Sequence, residues 1–148
     1  MVLRLRRQPH RERQWQVLAF RHPMAGIQLV KGTLEAGKEP AAAALRKLAE
    51  ESGITQAQVV VPIGELTFAA QRQRWHLFLC RPEGVLPEQW AHWTTDGGGH
   101  LFQFFWHPLA VAPTDEWHPV FQAALAYIRE WQELADTEFL TEFLTEFL

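Results

Sequence analysis

The chain has 148 residues, of which 47% are hydrophobic and 21% charged, with a formal net charge of -3. That is enough apolar material for one domain with its own core, and too little positive charge for a nucleic-acid backbone binder, which carries a strongly basic face. A lone Cys80 excludes an internal disulfide, and no apolar run reaches the roughly 18 residues of a membrane span.

Charge is unevenly spread. Arg4, Arg6, Arg7, Arg11, Arg13 and Arg21 gather at the start against Glu12, whereas the end is acidic. No apolar stretch of signal-peptide length follows the early arginines. A soluble, cytoplasmic protein is therefore expected, with no membrane or nucleic-acid partner. Cys80 lies in the apolar run WHLFLC and reads as a buried thiol.

In chain order, VLRLRR (2–7) alternates as a half-buried strand does, and WQVLAF (15–20) reads as a second, central strand. Residues 21–38 read as a loop around the short strand IQLV. A helix is predicted over 40–52, because Pro40 suits the first helical position and Gly53 the position just past the end. QVVVPIGELTFAAQ (58–71) is β-branched and interrupted by Pro62 and Gly64, which predicts one bent strand or two short ones. WHLFLC (75–80) and HLFQFFWH (100–107) read as strands, with 82–99 as a long loop between them. A second helix is predicted from Asp115 as N-cap through EWHPVFQAALAYIREWQELA. These elements give an α+β domain over 1–135. The tail 136–148 contains the repeat TEFLTEFLTEFL, whose Phe/Leu pairs would form a slanting stripe, either a plain extension or a contact for a second copy.

The segment GTLEAGKEPAAAALRKLAEESGI, from Gly32 to Ile54, resembles the Nudix box, G-x5-E-x7-R-E-U-x-E-E-x-G-U with U a bulky aliphatic residue. Gly32, Arg46, Leu48, Glu50, Glu51, Gly53 and Ile54 fall in register without insertion. The resemblance implies a Nudix-like α/β/α sandwich with a mixed central sheet. It further implies a metal-dependent pyrophosphohydrolase acting on a nucleoside diphosphate linked to another group, with Mg²⁺ or Mn²⁺ as cofactor. Glu50 and Glu51 match the family's metal-binding glutamates, and Arg46 matches the arginine that orients them. Gly32, or the Lys31 carbonyl, would complete the metal shell. Glu35 stands where many members carry a glutamate, and QLVKGTLE is similar to the L-P-K-G-x-x-E wording of members acting on dinucleoside polyphosphates. Lys31, Lys47 and Glu35 are the implied substrate contacts, and a homodimer is the implied partner state.

Two positions depart from the pattern. Lys38 and Lys47 stand where the box has glutamates, and a protonated lysine repels a divalent ion instead of ligating it. If hydrolysis is retained, the acid acting on water comes from outside the box, with Asp96 in TTDGGGH and Glu65 as candidates. The alternatives are a nucleotide-binding module in which lysine charge replaces metal charge, with slow hydrolysis or none, and a fold used only as a scaffold.

Helical spacing puts Arg46, Lys47, Glu50 and Glu51 on one face, opposite an inward stripe of Ala41, Ala44, Leu45, Leu48 and Ile54. The same charges could also be ordinary i,i+4 pairs worth about 0.2–0.5 kcal/mol each. Paired glutamates alone usually mark only a solvated face. The histidines lack compact zinc-ligand spacing, with His100 or His107 left as a candidate general acid or substrate contact. Trp75 and Trp106 are expected in the core, and Trp90 and Trp93 in the long loop, where a base could stack on them. The N-terminal arginines read as a solvated strand face.

Overall fold

A computed structural model of the chain describes residues 1–6, 14–31, 39–135 and 140, the side chain of Asp96 excepted. Strands β1 (Leu3–Arg6), β2 (Gln14–His22) and β3 (Gly26–Gln28) precede helix α1 (Pro40–Ser52). They are followed by β4 (Ala57–Phe68), β5 (Gln73–Pro82), β6 (Trp90–Thr94), β7 (His100–Pro108) and helix α2 (Pro119–Leu134).

Alternation along β2 builds the layers. Val17 and Ala19 point into one apolar cluster, with Phe121, Ala124, Leu125 and Ile128 of α2. Leu18 and Phe20 point into another, with Leu48 of α1 and with Phe102 and Phe104 of β7. A strand buried on both faces must be apolar at both parities, which explains the near-continuous run VLAF. The result is a helix on each face of curled sheet, the α/β/α arrangement expected.

The larger sheet runs β1-β2-β7-β6, with β3 also paired to β2, and β4-β5 forms a separate hairpin. All named strand pairs are antiparallel. The central sheet is therefore antiparallel where a mixed one was expected; parallel pairing is confined to two isolated bridges outside the named strand pairs, Val2 with Cys80 and Ile27 with Trp117. The first ties the hairpin to β1, the Cys80 N–H donating to the Met1 carbonyl at 2.8 Å.

Three local expectations need correction or refinement. The segment around Pro62 and Gly64 is one strand, with register shifts between Val59 and Val61 and between Pro62 and Gly64. Bulges absorb the two misfits without ending the strand. The long loop 82–99 contains β6, which pairs along β7 from Trp90–Phe104 to Thr94–His100. Helix α2 begins at Pro119, and its N-cap is His118, whose side chain accepts from the Val120 N–H, not Asp115. Of the TEFL repeat, only Leu140 is described, and it is buried in the α2-side core.

Candidate active site

Helix α1 starts as Pro40 predicts and stops at Gly53, whose φ of 81° is left-handed. A Cβ there would meet His92 Nδ1 at 2.9 Å, so glycine is required twice over. The end of α1 is held by several bonds. The Gly53 N–H donates to the Ala49 carbonyl. Ser52 Oγ donates to the Leu48 carbonyl and accepts from the Ile54 N–H. Trp90 Nε1–H donates to the Ser52 carbonyl at 2.9 Å, with its ring stacked on Phe104 at 5.1 Å. Carbonyls that a helix end would leave orphaned are thereby satisfied, and the last turn is fixed to β6. The inward face of the helix is Ala43, Leu48 and Ser52, with Leu45 packed alongside and Ile54 buried just beyond. Ala43 is buried, whereas Ala41 and Ala44 are only half-buried, a rotation from the expected stripe.

On this anchored last turn sit the charged residues. Glu50 lies 3.8 Å from Arg46 Nε and 3.5 Å from Lys47 Nζ, so Lys47 meets the acid three residues on. The Lys47 side chain is 21% exposed, about half the 43% of Glu50. Lys31, in the loop after β3, joins this group from another part of the chain. Burial pushes its ammonium below the ordinary lysine value; Glu51 opposes the shift and Lys47 reinforces it. Lys31 Nζ donates to Gln73 Oε1 at 3.2 Å and lies 4.7 Å from the centroid of the Trp75 ring. Five charged residues, Lys31, Arg46, Lys47, Glu50 and Glu51, thus make up one local group.

Of the other expected site residues, only Glu65 has a described side chain. Gly32, Glu35 and Lys38 lie outside the described residues. Asp96 opens the 3₁₀ turn between β6 and β7, and its side chain is outside the described set. Glu65, on β4, lies 3.2 Å from His76 Nδ1 and 4.0 Å from Arg74 Nε, a cross-strand cluster on the hairpin. Neither partner was singled out in the sequence. Among the described residues, no three His, Cys, Asp or Glu side chains come together as a metal cage.

His107 is buried, bonded through Nε2 to the Val111 carbonyl at 2.8 Å and set edge-on to Trp117. That is a structural histidine. His100 packs against His22. Trp90 is a structural clamp, while Trp93 is 60% exposed on β6. Trp75 is in the core as expected, but Trp106 is half-buried. Arg4 is not on a solvated face: it is buried, paired to both Glu88 oxygens at 3.0 and 2.7 Å, and lies over the Trp106 ring.

A family model described as NUDIX domain matches residues 2–133. The chain belongs to the Nudix family. No curated protein matches the chain. The family match covers the β1-to-α2 frame as well as the box. It supports a Nudix hydrolase type of function acting on phosphoanhydride bonds of nucleotide-derived substrates, in a family that generally uses divalent metals. No helix among the described residues is long and apolar enough to cross a membrane.

Proposed function

We propose that this Nudix protein is a Mg²⁺- or Mn²⁺-dependent pyrophosphohydrolase of a nucleoside diphosphate derivative, with its reaction face on the last turn of α1. The observation that carries the reading is the pair Glu50 and Glu51 on a helix end fixed by Trp90, Ser52 and Gly53. Carboxylates held on a rigid element suit a hard divalent cation, which needs only one or two of them beside water and substrate phosphates. When bound, such an ion polarises the phosphoryl oxygen and lowers the pKa of water.

The lysine departures set the competition. Lys47 and Arg46 both contact Glu50, but partly exposed helix pairs of this kind stabilise by only about 0.2–0.5 kcal/mol. Glu50 therefore exchanges an ion pair for a metal at small cost. Arg46 orients Glu50 until then. Lys31 and Lys47 contact phosphate oxygens, and Glu35 is the third expected substrate contact. Water attacks phosphorus, the bridging P–O bond breaks with its electron pair on the departing phosphate, and a carboxylate outside the box takes the proton. Asp96 and Glu65 remain the two candidates, separable by Asp96→Asn and Glu65→Gln. A stable folded protein with turnover lost in only one of them identifies the acceptor.

A second reading has its own observation, the 3.5 Å contact between Lys47 and Glu50. There the lysine charge substitutes for the ion, and the protein holds a nucleotide with little turnover. The test is product formation from nucleoside triphosphates, nucleotide sugars, ADP-ribose and dinucleoside polyphosphates, with Mg²⁺, Mn²⁺ or chelator. Metal-dependent cleavage that rises in Lys47→Glu supports the hydrolase. Ligand binding indifferent to chelator, without product, supports the module.

A further inference from the structure

Lys31 is constrained more than a lysine at a loop end needs to be. Gln73 Oε1 accepts from its Nζ at 3.2 Å, and the same oxygen accepts from Trp75 Nε1–H at 3.0 Å. An amide oxygen offers two lone pairs, so the Gln73 carboxamide is pinned from two directions. The ammonium also lies over the Trp75 ring, at 4.7 Å. Trp75 is in turn packed on two sides: it is buried, with Phe68 at 4.7 Å and Phe121 at 5.0 Å between ring centroids. A chain of contacts therefore runs from the α2-side core through Trp75 and Gln73 to a single charge.

Lys31 immediately precedes Gly32, where the box begins, and Glu51 and Lys47 are the charged side chains that act on its ammonium. The arrangement works against a lysine's own preferences, because it restricts a rotamer-rich side chain. One donor is spent on Gln73, and an ammonium has three. An ammonium bonded to one neutral acceptor can still donate to an anion.

We propose that Gln73 is a positioning residue of the substrate site, holding Lys31 Nζ against Trp75 so that it meets a phosphate of the pyrophosphate group beside Glu51 and Lys47. This rests on the reading of α1 as the reaction face. It assigns the anchoring to the phosphate portion of the substrate, not to its base or sugar.

The test is calorimetric titration of inorganic pyrophosphate in Mg²⁺, which needs no turnover, on the whole chain and on Gln73→Met, Lys31→Met and the double variant. Losing one charge-assisted hydrogen bond predicts about tenfold weaker binding for Lys31→Met. Gln73→Met is expected to lose a comparable factor, and the double variant to bind no more weakly than Lys31→Met, because coupled residues are not additive. Gln73→Glu keeps the acceptor for Trp75 while adding negative charge, and should weaken binding at an unchanged melting temperature. Wild-type affinity in Gln73→Met or Gln73→Glu, losses that multiply in the double variant, or no pyrophosphate binding by the wild type would each overturn the proposal. Coupled binding without turnover of any substrate would instead sink the hydrolase reading and leave this one standing.

Discussion

Helices α1 and α2 cover opposite faces of the same curled sheet, yet they are anchored in different ways. α2 buries Val120, Phe121, Ala124, Leu125 and Ile128, a continuous apolar stripe. α1 buries only Ala43, Leu48 and Ser52 along its length, and relies on hydrogen bonds around Ser52 and Gly53 to fix its end. One helix stabilises through area, which is non-directional. The other places carboxylates through a few directed bonds. Under the proposed function, stability and chemistry are carried by different helices, so a substitution can strike one without the other.

The largest effect is expected on α2. Phe121→Ala should cost about 3–5 kcal/mol of unfolding free energy, read by urea denaturation, with turnover per folded molecule unchanged. Loss of turnover in the folded fraction would show that the two helices are not separable. On α1 the pattern should reverse. Glu51→Gln should lower turnover at least about a hundredfold, or about 2.7 kcal/mol in the barrier, while shifting stability by under about 0.5 kcal/mol. Gly53→Ala should strike both properties, since it forces a left-handed residue against His92; about 1–2 kcal/mol of stability is expected from the backbone alone. If its turnover per folded molecule stays at the wild-type level, the directed bonds at the end of α1 do not set the site.

The smallest effect is a pH dependence away from α1. Burial holds His107 and His22 below the ordinary 6.5, the Val111 carbonyl partly opposing this at His107 and His100 adding to it at His22. The unfolded chain then binds more protons than the fold just below 6.5. Stability is full above that value and falls as pH drops through the folded pKa values. The urea midpoint should decline on going from neutral to mildly acidic buffer, and a flat midpoint would contradict the assignment.

Much of this contrast was legible in the sequence, for local reasons. Pro40 and Gly53 punctuate α1 at the positions the structure shows. The same proline rule, applied at Pro119, would have found the start of α2, but Asp115 offered a plausible cap four residues earlier. β6 was hidden because WAHWT is short and flanked by Pro87 and DGGG, both strong loop signals. What could not be read is non-local. Gln73 lies 42 residues from Lys31, and Trp90 reaches Ser52 across 38; only the folded sheet brings either pair together. Nor does spacing alone reveal that Lys47 comes within 3.5 Å of Glu50, three residues on. Arg4 looked like a surface charge because nothing in VLRLRR announces Glu88.

The most direct measurement is the metal-dependent rate of a cleaved substrate in wild type and in the Glu50→Gln/Glu51→Gln protein, with thermal unfolding followed in parallel. The account predicts that the double variant melts with the wild type and loses its metal-stimulated turnover. A double variant that keeps that turnover would contradict it, and would place the reaction face away from α1.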